Sequence, residues 1–545
     1  MASTALNART SPAGQESTME NAVISQDSRP ADVASPSPGK GSYQQILKSS
    51  ALIGGSQTLN IAIGIIRTKA MALLLGPGGF GVAGLYNSIV DLTQNLAGLG
   101  VNSSGVRQIA EAVGSNDTQR ITLTIAVLRR TSILLGLIGA IALLIFARPI
   151  ARLTFGNEKY AVGVAILSVA AFCKLVSGGQ AALIQGTRRI ADLAKMNVLG
   201  ALFGAIIGIA FVYFLRDRGI VMYVVAVTAT AIVTSWWYAR KVKIPRISVP
   251  LKQVGTEVSA LLKLGVAFMI SSLMTLGVAY AIRITVLHKV GIEATGLYQS
   301  AWTLGGLYVG FILQAMAADF YPRLTASVND HPTCNRLVNE QARVGLLLAG
   351  PGVLATLTFA PIVIAVLYSS RFGASVPLLR WICLGATLQV ITWPMGFIIV
   401  AKGKQNLFIF SEVTWAIVSL ALAWVCIGRF GLNGAGIAFF LSYVFHGILV
   451  YPIARYLSGF RWSRENLGTG AIFLSVIATV FCAFSFLPRY AAITLGSFAV
   501  LLTSWYSVRL LLSLVHSNQL QGRLGRLAAK LGIAEQELQV HSASS

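Results

Sequence analysis

The chain has 545 residues, 55% of them hydrophobic and only 11% charged, against roughly 25% charge in an ordinary soluble domain. That shortfall excludes a soluble globular protein. Lysine and arginine outnumber aspartate and glutamate 43 to 19, a formal net charge of +24, but no soluble basic domain is present to hold nucleic acid. Most of the excess reads as the positive-inside bias of loops on one face of a membrane.

Residues 1–42 are rich in Ser, Pro, Ala and Asn without apolar periodicity, which predicts a disordered cytoplasmic tail. They lack the short apolar core and cleavage site of a secretory signal. From Leu47 onward, apolar runs of about 20 residues or more recur, the length that crosses the hydrocarbon layer as a helix. The pattern predicts an all-α polytopic membrane protein of fourteen spanning helices. The first six cover 44–75, 79–106, 121–147, 160–184, 192–214 and 219–239. The next six cover 256–287, 292–320, 342–368, 375–400, 405–428 and 433–456, and two more cover 467–487 and 490–514. The expected organisation is an N-lobe over 43–240, a basic cytoplasmic linker over 241–255, a C-lobe over 256–457 and two extra helices within 466–515.

The stretch 240–263 holds Arg240, Lys241, Lys243, Arg246, Lys252 and Lys263 against Glu257 alone, so it is expected in the cytoplasm. Counting helices outward puts both termini there too. In the tail 516–545, Leu520, Leu524, Leu527 and Leu531 alternate with Arg523, Arg526 and Lys530, which predicts an amphipathic helix on the anionic inner leaflet. The five cysteines are dispersed without CxxC spacing and read as small buried hydrophobes. The five histidines are scattered, with no zinc spacing and no nucleophile motif. The residues thus imply no metal, no cofactor and no enzyme.

A repeat runs through this series. Gly84-Leu85-Tyr86-Asn87-Ser88 opens the second helix, and Gly296-Leu297-Tyr298-Gln299-Ser300 opens the eighth. Gln185-Gly186-Thr187-Arg188 after the fourth helix is echoed by Lys402-Gly403-Lys404-Gln405 after the tenth. A period of six helices is even, so both copies enter from the same side. They would be related by an axis along the membrane normal, with substrate in the cleft between two six-helix lobes.

The stretches LLLGPGGFGVAG (73–84), LTFGNEKY (153–160), GVAYAIR (277–283), ATGLYQSAWTLGGLYVGFI (294–312), FYPRLT (320–325), GFIIVAKGKQNLFIFSEVTWAIV (396–418) and GLNGAGIAFFLSYV (431–444) resemble those of the polysaccharide-biosynthesis flippases. These belong to the multidrug/oligosaccharidyl-lipid/polysaccharide exporter superfamily, and the likeness is to its O-antigen and enterobacterial common antigen lipid III branches. It covers about 44–456. The resemblance implies two six-helix lobes around a central cavity, a MATE-like fold, in a bacterial inner membrane. It also implies transport of a polyprenyl-diphosphate-linked oligosaccharide to the outer leaflet, with a polysaccharide polymerase and chain-length regulator as candidate partners.

Such a cargo needs cations, because burying a diphosphate without partners is costly and guanidinium or ammonium contacts offset that cost. Arg67 in the first helix and Arg283 in the seventh hold similar places in the two copies and are the expected diphosphate contacts. Lys174 in the fourth helix is a further candidate cavity cation and Lys69 a weaker one; the alternative for Arg67, Arg283 and Lys69 is snorkelling to the headgroups. Asp91, Asp319 and Glu412 could load and release H⁺ or bind Na⁺, or serve in structural ion pairs. Tyr86, Tyr298 and Trp302 could stack on sugar rings, or sit in packing or an interfacial belt. The alternatives are a lipid II flippase or a cation-coupled multidrug exporter of the same superfamily. A polymerase or ligase is more remote, because the outer loops are short.

Overall fold

The computed structural model describes residues 40–115, 118–242 and 251–514. The expected tail over 1–42 lies almost wholly outside the described residues, as do part of the basic linker and the whole amphipathic tail. The chain divides into units 1–50 and 51–545. Of the first, only the helical backbone at 40–50 is described; the bundle and its cavities belong to the second.

The described residues form sixteen α-helices, with no strand among them. The first seven are α1 (Lys40–Gly98), α2 (Val101–Gly114), α3 (Thr118–Ile145), α4 (Ala147–Phe155), α5 (Ala161–Gly186), α6 (Ile190–Leu215) and α7 (Gly219–Ala239). Next come α8 (Leu251–Val290), α9 (Ile292–Ala326), α10 (His331–Thr358), α11 (Ala360–Leu367), α12 (Val376–Ala401), α13 (Gln405–Phe430) and α14 (Leu432–Ser458). The series closes with α15 (Arg464–Phe486) and α16 (Arg489–Leu514).

Ten described helical stretches are long and apolar enough to cross a membrane, or up to twelve if each of two bent pairs is one crossing. Two of the ten, Gly54–Gly98 and Ile190–Ala239, run to 45 and 50 residues, well beyond the roughly 20 that one crossing needs. Each covers two of the expected helices. Within α1 the chain turns at Gly76, whose φ of 64° and ψ of −172° lie outside the helical region, followed by Pro77. Glycine takes this backbone without a Cβ penalty, and proline supplies no N–H to continue the ladder. The ten fall short of the expected fourteen because two stretches each join two expected helices and two further pairs are bent at a break.

Two lobes result. In the earlier helices one core gathers Met71, Leu85, Phe155 and Leu167, and a second gathers Ile109, Leu128, Leu183 and Met196. In the later helices the main core gathers Leu304, Leu354, Leu379 and Phe473, and a smaller one Phe320, Leu337, Ile398 and Phe460. Large apolar side chains such as Ile145, Phe214 and Ile417 point outward and are more than half exposed. That distribution suits a lipid surround, where cohesion comes from close packing and interhelical hydrogen bonds rather than from expelling water.

The start of α15 is fastened to the later lobe by an asparagine clamp. Asn339 of α10 donates to the Arg461 carbonyl at 3.1 Å and accepts from the Ser463 N–H at 2.8 Å. Asn466 of α15 donates back to the Asn339 carbonyl at 2.7 Å. Asn335, one turn earlier, donates to the Ser458 carbonyl at 2.8 Å at the end of α14. Arg343 and Glu465 add an ion pair.

Candidate functional site

The two copies of the repeated motif meet. A Cβ added to Gly81 would stand 2.8 Å from the Gly296 nitrogen, and one added to Gly296 would overlap the Pro77 carbonyl. Only glycine lets the α1 and α9 backbones approach this closely. Around this seam Phe80 packs edge-on against Tyr368 and Phe372, at centroid distances of 5.5 and 5.7 Å. Lys69 Nζ donates to the Ala365 carbonyl at 2.8 Å. The Thr154 and Tyr280 hydroxyls are hydrogen-bonded, and His288 Nε2 lies 3.1 Å from the Thr154 carbonyl oxygen. At the far end of the same helix a second close approach occurs, where a Cβ on Gly100 would overlap the Gly265 carbonyl. Here Leu99 and Gly100 both adopt left-handed φ values of 46° and 64°. The lobes therefore touch at both ends of the second half of α1.

Between these contacts lies a cavity of about 260 Å³, and both Arg67 and Arg283 line it. Asp91, Asn87, Gln299 and Thr303 share the wall. Arg283 Nε donates to Gln299 Oε1 at 2.8 Å; one of the five guanidinium N–H groups is thereby spent on orientation and four remain. Arg67 is half-buried and has no ion pair or hydrogen bond with another described residue. Asp91 pairs with Lys174 of α5. The cavity thus has two arginines against one carboxylate that is already neutralised, which leaves it net cationic. Asp91 also borders a neighbouring cavity of about 300 Å³ lined by Gln94, Asn95, Asn102 and Ser103. Asn87, Asp91, Gln94 and Asn95 recur at helical spacing, giving α1 a polar stripe from the arginines towards Leu99.

The other expected residues fall elsewhere. Lys174 holds Asp91 instead of standing free. Lys69 is a strut between the lobes, because its long stem carries the ammonium to a carbonyl of α11. Asp319 lines neither of these cavities: it pairs with Arg323 one turn on at 3.1 Å, with 76% of its side chain exposed. Tyr86 is packed in the N-lobe core at 3% exposure, edge-on to Phe155. Tyr298 is equally enclosed at 2% and stacks on Trp302. Neither tyrosine offers a free face to a sugar in this cavity. Trp302 lines a different cavity within the later lobe. Glu412 is half-buried on α13 with no cationic partner among the described residues.

The residues that the sequence reading passed over are Asn87 and Gln299. They are the one variable position of the repeated motif, a polar amide in both copies, and that equivalence was a usable signal.

The model of the family described as "Polysaccharide biosynthesis protein" matches residues 70–377. Among curated relatives, the lipid III flippase of Escherichia coli K12 is 22% identical over 409 residues, covering 73% of this chain and 95% of that protein. The probable low-salt glycan biosynthesis flippase Agl15 of Haloferax volcanii is 21% identical over 423 residues, covering 75% and 84%. Among solved structures, the lipid II flippase MurJ in an inward closed conformation superposes with a TM-score of 0.62 at 13% identity, covering 85% of this chain and 99% of that one. An inward-facing MATE family multidrug resistance transporter gives 0.60 at 18% identity, covering 74% and 96%. These structural likenesses establish the fold.

Proposed function

We propose, from the premise that this chain belongs to the polysaccharide biosynthesis protein family, that it flips a polyprenyl-diphosphate-linked oligosaccharide from the cytoplasmic to the outer leaflet of an inner membrane. The observation that carries this reading is the convergence of Arg67 and Arg283, from different lobes, on one cavity with no anion among the described residues to neutralise them both. Unpaired guanidiniums in a membrane interior are costly, and a diphosphate offsets that cost with charge-assisted, bidentate contacts. The names of the two curated relatives, one a lipid III flippase and one a glycan flippase, support the cargo class. Rocking of the lobes about the two glycine contacts would expose the cavity to each side in turn.

The Gly76 end is the outer one in this reading and both termini are cytoplasmic. In support, Arg240 at the end of α7 lies over the rings of Trp236 and Trp237, at 4.9 and 3.9 Å from their centroids, with both indoles about half exposed. Basic and aromatic residues together at a helix end suit a cytoplasmic interface. Coupling to H⁺ or Na⁺, where it operates, falls to Glu412, because Asp91 and Asp319 are occupied by Lys174 and Arg323. Replacing Glu412 with Gln should then abolish the response of export to a collapsed ion gradient; an unchanged response removes it from that role. A complex with a polymerase and chain-length regulator would receive the cargo, and co-purification from membranes tests it.

Deleting the gene should cause one lipid-linked oligosaccharide to accumulate on the inner leaflet. Accumulation of the peptidoglycan precursor instead would favour the lipid II reading, which the MurJ-like fold keeps as the second choice. Arg67→Ala and Arg283→Ala should each reduce export by about 10–100-fold, the equivalent of a lost charge-assisted bond of about 1.5–3 kcal/mol, while the protein still reaches the membrane. Full export in both variants sinks the cavity-cation model. Lysine at either position should restore part of it.

A further inference from the structure

Inside the later lobe, walled by α8, α9, α12, α13 and α14, lies a second cavity of about 230 Å³. It shares two walls with the arginine cavity, residue by residue. Ile282 faces it while Arg283 faces the other; Tyr298 faces it while Gln299 faces the other; Trp302 faces it while Thr303 faces the other. Successive helical residues point about 100° apart, so α8 and α9 each present a polar edge to one cavity and an apolar edge to its neighbour.

Glycines line the apolar side. Gly305 is explained by packing, since a Cβ there would collide with Ile382. Gly306 and Gly310 are different: a Cβ on either meets nothing within 4 Å. Glycine inside a helix is less stable than alanine, and here alanine would fit. Both are exposed, so a side chain at either would project into the open side of the cavity.

The volume is small beside the roughly 300–1,000 Å³ of sites that enclose a whole drug-sized ligand, so it suits a segment of a ligand. The segment is hydrocarbon. Beyond the glycines, the wall is largely alanine, aliphatic side chains and the rings of Trp302, Trp415, Phe439 and Tyr443. The Ser442 hydroxyl is spent on the Phe439 carbonyl at 2.8 Å. A sugar would be favoured by the Trp415 indole N–H and the Ser419 hydroxyl, both buried without partners, and by Thr275 and Gln389 on the same wall, but these scattered groups do not replace the hydration of a pyranose ring. Broad aromatic faces instead match the flat, methyl-branched units of a prenyl chain.

We infer that the first isoprene units of a prenyl diphosphate occupy this cavity while the diphosphate sits across the α8–α9 seam at Arg283. The inference rests on the flippase reading and adds a chain-recognition site to it: the protein selects its carrier lipid by the prenyl units next to the phosphate, and the remaining chain stays in the bilayer.

The test titrates the full-length protein in nanodiscs with isopentenyl, geranyl and farnesyl diphosphate, and with a straight-chain alkyl diphosphate of matched carbon number. Wild-type affinity should rise by at least about tenfold from isopentenyl to farnesyl, given the free energy gained per buried methylene, and the straight chain should gain less. Gly306→Leu projects into the cavity and should flatten that rise without changing the affinity for inorganic pyrophosphate. Gly310→Leu, one turn on, should do the same and guards against a local effect of the first variant. Arg283→Ala should weaken all three prenyl ligands by a common factor and leave the rise intact. A rise that survives both leucine variants, or that the straight chain reproduces in full, overturns the inference while the arginine reading stands. Affinities that ignore Arg67 and Arg283 but still lose their chain dependence in the leucine variants have the reverse meaning: the prenyl site stands and the arginine reading falls.

Discussion

The two cavities that flank the α8–α9 seam are similar in size, about 260 and 230 Å³, and opposite in chemistry. The one between the lobes is walled by arginines, amides and hydroxyls. The one within the later lobe is walled mainly by rings, aliphatics and glycine, with Thr275, Gln389, Ser419 and Ser442 among them. Under the proposed rocking, the first is shared by surfaces that would separate, so its polar groups would alternate between a ligand, one another and water. The second belongs to a single packed lobe, and nothing in rocking need rehydrate it. A pair of helices can therefore hold both ends of an amphiphile, provided each changes character from one residue to the next.

The largest effect should come from erasing the polar side of this contrast. The double variant Arg67→Ala/Arg283→Ala should lower export by at least about 100-fold, since two charge-assisted contacts of about 1.5–3 kcal/mol each are lost, with thermal stability unchanged. A marked fall in melting temperature instead would mean that the arginines serve folding. Next, Gly296→Ala attacks the contact that closes the inter-lobe cavity. The added methyl overlaps the Pro77 carbonyl, and overpacking of this kind costs about 1–3 kcal/mol. Cysteines placed on either side of the seam should then cross-link about tenfold less, while the chain-length dependence of prenyl binding persists; equal damage to both would dissolve the distinction between a moving and a fixed cavity.

A smaller effect is expected at the floor of the polar cavity. The side chains of Asp91 and Lys174 are 38% and 36% exposed, so solvent screens the pair, and breaking it should cost no more than about 1 kcal/mol of stability. Asp91→Asn should nevertheless change diphosphate affinity, because it frees Lys174 as a third cation. Lys174→Ala should lower affinity by exposing an unpaired carboxylate to the anion, and combining it with Asp91→Asn should restore the wild-type value. Additive losses in the double variant would show that the pair does not set the charge of the cavity.

The sequence by itself determined the solvent and the element type. Long apolar runs can satisfy their backbone in lipid only as helices, and the twin GLY(N/Q)S motifs marked two segments that the fold brings together. It also marked Arg67 and Arg283, because an ionisable residue deep in an apolar run stands out in one dimension. Their convergence was decided by tertiary structure, as were the fates of the remaining candidates: Lys174 found Asp91 from another helix, Lys69 found a carbonyl of α11, and Tyr86 and Tyr298 turned into the lobes. Hydropathy reports that a residue lies in a membrane helix. Which way it points depends on helix rotation, and rotation is set by neighbours distant in sequence, here by glycines that let two backbones touch.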